Sequence, residues 1–239
     1  MEQGAECTDY RFVGFIVAMN FPDHLFPAGW GLPTNGLFLA VLLAALWLAP
    51  WKRLMNSTQS NVWAGSIVVL CLMWSLRAGV QPGLNLHLLG ATALTLMFGR
   101  SLALIGLTLV LAAVTFNRGG GWEYFGLSAL LTIACPVLVA EAVRKLVERH
   151  LPANFFVYVF FSAFFGAALT VLAVGLLSTL TVWLAGLYTL DKLLADYLPY
   201  YLLLGFAEAW LNGAIITLMV VYAPHWVGTF DDRRYLWKK

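Results

Sequence analysis

Residues 154–188 read NFFVYVFFSAFFGAALTVLAVGLLSTLTVWLAGLY, 35 positions without one Asp, Glu, Lys, Arg or His. A helix of this length rises about 1.5 Å per residue and reaches roughly 50 Å, against a hydrocarbon core of about 30 Å. The run is therefore either one long helix, tilted or protruding, or two short spans broken near Gly175. Outward from it, six further stretches read as helices: 36–51, 61–76, 85–98, 101–116, 124–143 and 199–223. They are uniformly apolar rather than alternating. An all-α, polytopic membrane protein is expected, and a β-barrel is not.

Charge chooses between one crossing and two. If the loop with Lys52 and Arg53 is cytoplasmic and the chain alternates, Arg100, Arg144, Lys145, Arg149, Arg233, Arg234, Lys238 and Lys239 also fall inside. Ten basic residues then lie inside, against Arg11, Arg77, Arg118 and Lys192 outside. This positive-inside pattern holds only if 154–188 crosses once. Seven spans are expected, N-terminus out and C-terminus in, in the inner (plasma) membrane. Residues 1–18 read as an extension, 19–223 as one membrane domain and 224–239 as a basic cytoplasmic tail. Acidic Glu2, Glu6 and Asp9 argue against a signal peptide. Between 85–98 and 101–116 only Gly99 and Arg100 intervene, so these spans form an antiparallel hairpin, both short enough to be tilted or partly re-entrant.

Composition sets the function classes. The chain is 61% hydrophobic and 11% charged, with a mean hydropathy of +0.81, which excludes a disordered chain and an ordinary soluble enzyme. A net charge of +2 implies no nucleic-acid partner. Cys7, Cys71 and Cys135 are scattered and support neither a zinc knuckle nor a disulfide framework. No P-loop, HExxH or nucleophile elbow occurs, so ATP is not hydrolysed by this chain.

The few polar groups then sort by side. Asn20, Asp23, His24, His87 and Glu123 fall on the outer face, and imidazole with carboxylate suits Co²⁺, Ni²⁺ or Zn²⁺. Glu208 is the one acid well inside a span, with Asn212 four residues on along the same helix face. The pair reads equally as part of an ion pathway or as a hydrogen-bonded pair fixing helix packing. Glu141 with Lys145 and Arg144 with Glu148 are spaced i,i+4 and read as a solvated face. Ala40/Ala44 and Ala45/Ala49 are small-residue pairs at a spacing that lets another helix approach.

Three segments carry a family resemblance. Met19-Asn-Phe-Pro-Asp-His-Leu-Phe-Pro27 resembles the mature start of the cobalt/nickel energy-coupling-factor transporter substrate-capture subunits, the CbiM/NikM family. Pro82-Gly-Leu-Asn-Leu-His-Leu-Leu-Gly-Ala91 resembles that family's segment ending in His-Leu-Leu-Gly. Phe116-Asn-Arg-Gly-Gly-Gly121, followed by Gly126, is similar to its Gly-Gly loop, and the helix around Glu208 resembles its last span. The resemblance implies a divalent metal held at the outer face by an N-terminal amine, by a His after the initiator Met, and by the His of His-Leu-Leu-Gly, which is His87 here. Two positions depart from the pattern. Asn20 stands where that second His belongs, and eighteen residues precede Met19. His24 and Asp23 are the candidate replacements.

The resemblance thus implies a metal-uptake component with no permanent cofactor, transporting Co, Ni or Zn. Its partners would be a coupling transmembrane subunit, docked on the alanine face, and ATPase subunits. The alternative is a membrane accessory or assembly protein that keeps the fold without capturing metal. An intramembrane enzyme using Glu208, Asp23 or His residues is the weakest reading, because no nucleophile–base pair or multi-carboxylate metal cluster is visible.

Overall fold

A computed structural model describes residues 26–27, 29–76, 78–81 and 84–235. Helix α1 spans Gly31–Leu48 and α2 Ser57–Ser75. An antiparallel hairpin follows, β1 at Ala78–Gln81 and β2 at Leu84–Leu86, with Ala78 opposite Leu86. Then come α3 at Ala91–Phe98, α4 at Arg100–Arg118, α5 at Phe125–His150, α6 at Phe155–Leu184 and α7 at Leu198–Tyr222. The molecule is an all-helical polytopic membrane protein with this one small hairpin.

The 154–188 run is a single helix. Asn154 starts it, its side chain accepting from the Phe156 N–H at 2.8 Å, and α6 continues to Leu184. A π turn over Tyr158–Phe164 widens it without interrupting it. Gly175 is not a break. It is a point of close approach to α7, since a Cβ there would stand 2.5 Å from the Tyr201 ring. Small residues let backbones approach in lipid, where packing rather than hydrophobicity drives helix association.

The third expected span is where structure and sequence part. Residues 85–98 do not form one helix: Leu84–Leu86 belong to the hairpin, 87–90 are non-helical, and only Ala91–Phe98 is helical. All eight residues of α3 are buried. Its helical rise is about 12 Å, too short to cross a hydrocarbon core of about 30 Å by itself. Five helices among the described residues are long and apolar enough to cross a membrane. The shortfall from seven is α3, with eight residues, and α2, which opens on polar Ser57-Thr-Gln-Ser-Asn61.

The ends of the bundle are distinct. At one end Gln59 Nε2 donates to the His225 carbonyl at 2.6 Å and Arg53 Nη2 to that of Trp226 at 3.4 Å. The chain after α7 packs back there, with Gly228 N–H on Met97 O at 2.9 Å and Tyr158 OH on Thr229 Oγ1 at 2.6 Å. Lys52, Arg53, Arg100 and the 144–149 cluster share this basic end. Arg144 bridges Glu141 and Glu148 with its side chain 14% exposed, while Lys145, also on Glu141, is 57% exposed, so the expected solvated face is a partly buried ion-pair network with an exposed edge. At the opposite end lie the hairpin, the 119–121 glycines and Phe26, whose carbonyl accepts from Tyr124 OH at 2.9 Å. The alanine pairs divide: Ala40 and Ala44 are exposed, while Ala45 is buried and Ala49 half-buried.

Candidate functional site

His87 follows the hairpin directly and is buried, with 5% of its surface exposed. Its ring packs on Trp74 of α2, centroids 4.5 Å apart and planes at 41°. Nδ1 stands 3.0 Å from the Leu88 carbonyl. A carbonyl only accepts, so this contact assigns the proton to Nδ1 and, in the neutral ring, the lone pair to Nε2. Metal-ligating histidines are oriented this way, one nitrogen donating to a backbone carbonyl while the other faces the ion.

The backbone after His87 is held by α7. Glu208, 1% exposed, accepts from the Leu89 N–H through Oε1 and from the Gly90 N–H at 3.1 Å. Asn212 Oδ1 accepts from the Ala93 N–H at 2.8 Å, and its Nδ2 donates to Glu208 Oε2 at 2.6 Å. Trp74 Nε1 donates to the Leu89 carbonyl at 3.1 Å. The Glu208–Asn212 pair therefore caps α3 from another helix. Gly90, the residue before that helix, has φ +62° and no side-chain cap of its own, and a Cβ there would meet Leu70 at 2.5 Å.

Depth explains why an acid sits here. Glu208 lies ten residues into α7, about 15 Å down its axis and so near the middle of a bilayer. Open backbone at that depth has no water, and each unmet N–H costs several kcal/mol. The carboxyl also sits at the positive end of the α3 dipole. Of the two readings of Glu208 and Asn212, the hydrogen bonds support the packing pair, placed so that it fixes the segment carrying His87.

The remaining candidates separate. Met19, Asn20, Asp23 and His24 lie outside the described residues. Phe26, just beyond them, is stacked on Trp30 and edge-on to Tyr124, at the same end as the hairpin. The Glu123 carbonyl accepts from Asn35 Nδ2 at 3.0 Å, and Asn35 Oδ1 takes the Gly126 N–H, so the glycine loop is pinned to α1. His150 and His225 are at the basic end. Among the described residues no group of three or more His, Cys, Asp and Glu is placed to hold a metal ion. Sequence reasoning missed Trp74 and Asn35. Their contacts join positions distant in the chain, and no spacing rule marks them.

The family model for CbiM, the cobalt uptake substrate-specific transmembrane region, matches residues 20–226. The chain belongs to the CbiM family. A CbiM protein is a transmembrane component of a metal-uptake transporter, and the multi-pass architecture agrees with that. No curated protein matches the sequence significantly. Two solved structures share the fold. The crystal structure of a truncated transition metal transporter has a TM-score of 0.72 at 19% identity, over 84% of this chain and 98% of that one. A second transition metal transporter has a TM-score of 0.73 at 18% identity, over 85% and 95%. In this CbiM chain the match takes in His87, Glu208 and Asn212, the residues that build and brace the non-helical segment, and it begins at Asn20.

Proposed function

We propose that this CbiM protein captures a divalent transition metal, Co²⁺, Ni²⁺ or Zn²⁺, at the hairpin end of the bundle, with His87 as an imidazole ligand. The clustering of basic residues at the opposite end supports reading the hairpin end as the outer one. Met19, Asn20, Asp23 and His24 are the nearest source of further ligands, because the chain from Phe26 onward starts at the same end. The observation that carries the reading is the bracing of His87. Its ring packs on Trp74 and its Nδ1 is on a carbonyl. Its following backbone is tied to Glu208 and Asn212, so the imidazole is held before any ion arrives. Coupling and ATPase subunits would supply the energy, since the chain encodes no nucleotide site, and the exposed Ala40/Ala44 face is where a coupling helix fits.

Metal content of detergent-purified protein tests this. Wild type loaded with Co²⁺, Ni²⁺ or Zn²⁺ should retain about one ion per chain, and His87→Ala should lose at least tenfold in affinity, about 1.4 kcal/mol, while still eluting as wild type. Metal-free wild type after loading overturns capture and moves the reading to an accessory protein that keeps the fold.

A further inference from the structure

Between α2, α3 and α7 lies an apolar groove of about 450 Å³. Val69, Leu70 and Met73 of α2, Met97 of α3 and Met219 of α7 line it, and Asn61 and Trp226 close its basic end. Along α2 it runs from Asn61 to Met73, twelve residues or about 18 Å, close to the depth of one hydrocarbon leaflet. Its walls are almost wholly apolar, so it takes hydrocarbon rather than water or ions.

The basic end is different. Arg53 is half-buried, over the Phe98 ring at 5.3 Å, and its hydrogen bonds go to neutral acceptors, Gln59 Oε1 at 3.2 Å and Trp226 O at 3.4 Å. No carboxylate among the described residues pairs with it. Burial alone pushes its guanidinium below the ordinary arginine value. The indole N–H of Trp226 is also buried, with no acceptor among the described residues. A cation with no carboxylate partner among the described residues thus stands behind Trp226, just outside the groove lining, and the Trp226 indole N–H beside it has no acceptor among those residues. Each costs free energy as it stands.

We infer that this groove binds one anionic phospholipid, an acyl chain lying along α2 and the phosphate reaching past Trp226 to Arg53. Arginine suits phosphate because its planar fork donates twice. Basic clefts between helices at the cytoplasmic side are where anionic headgroups dock. His87 does not line the groove, although Gly90, Ala93 and Asn212 of its bracing do, and lipid retention is read independently of metal content.

The groove offers its own fold-safe test. A Cβ on Gly65, a lining residue, meets nothing within 4 Å, and neither does one on Gly36, which is off the groove in α1. Gly65→Leu therefore fills the slot, and Gly36→Leu adds the same side chain elsewhere. Purified protein is incubated with equal phosphatidylglycerol and phosphatidylcholine of identical chains, and retained lipid is counted by native mass spectrometry. Wild type should hold one phosphatidylglycerol, preferred about tenfold. Arg53→Gln should erase the preference and Arg53→Lys keep only part of it, since lysine carries the charge without the fork. Gly65→Leu should lose both lipids and Gly36→Leu neither. Equal retention of the two lipids in wild type, or Gly65→Leu retaining as much as wild type, overturns the inference. So does a photocrosslinker at Val69 that captures a polypeptide while wild type carries no lipid.

Discussion

Two stretches of this chain invite opposite expectations about where a membrane helix breaks, and each behaves the other way. Residues 154–188 are long enough for two spans and contain a mid-run glycine, yet α6 is continuous from Phe155 to Leu184. Residues 85–98 look like one short span, yet the helix starts only at Ala91. Length and glycine content do not decide the matter; acceptors do. Opening a helix at mid-membrane strands several N–H groups, and lipid offers nothing to receive them. Around Leu89, Gly90 and Ala93 the oxygens of Glu208 and Asn212 stand ready. Around Gly175 the neighbour is the Tyr201 ring, which accepts no backbone bond and simply fills the space.

The sharpest way to break the comparison is to remove the acceptors. Glu208→Leu leaves two buried amides unmet at about 1–3 kcal/mol each, so it should lower the detergent melting temperature strongly or abolish folded protein. Where folded protein survives, metal retention should fall with it, because the His87 segment loses its anchor. Glu208→Gln keeps one carbonyl oxygen and should lie between. A Glu208→Leu protein that melts like wild type would mean the non-helical segment is held by something else.

The reciprocal experiment acts on the continuous helix. Gly175→Leu drives a side chain into Tyr201 and should cost about 1–3 kcal/mol by overpacking, read as a lower melting temperature with metal retention unchanged. Loss of metal at normal stability would instead tie the α6–α7 contact to His87. The two substitutions therefore separate a glycine kept for close approach from an acid kept for capping.

Much of this was legible beforehand, and the part that was not has a physical reason. Hydropathy found the long apolar helices but not the hairpin or the short Leu190–Asp196 helix, because lipid demands apolar side chains wherever the chain crosses and says nothing of short elements. Basic residues predicted a single crossing for 154–188, and the one continuous helix agrees. Glu208 and Asn212 were visible as an i,i+4 pair, but their partners are main-chain amides 118 to 119 residues away. Backbone donors carry no side-chain label, so no spacing announces them. The same blindness hid Trp74 under His87. It also made the Arg144 network look solvated, since an i,i+4 ion pair has the same spacing on a buried face as on an exposed one.

The smallest effects refine the cap itself. Asn212→Leu should cost about 0.5–2 kcal/mol, the usual range for a lost cap, and less than Glu208→Leu because one amide, that of Ala93, is stranded rather than two, and Glu208 Oε2 loses the Asn212 donor but keeps the Gly90 N–H. Trp74→Phe keeps an aromatic ring against His87 and removes one donor to the Leu89 carbonyl, a loss of about 0.5–1.5 kcal/mol. Its effect on melting should be slight. Its effect on metal retention is the more telling measurement. If ring packing positions His87, Trp74→Phe retains metal and Trp74→Leu does not; if the hydrogen bond to Leu89 positions it, both fail alike.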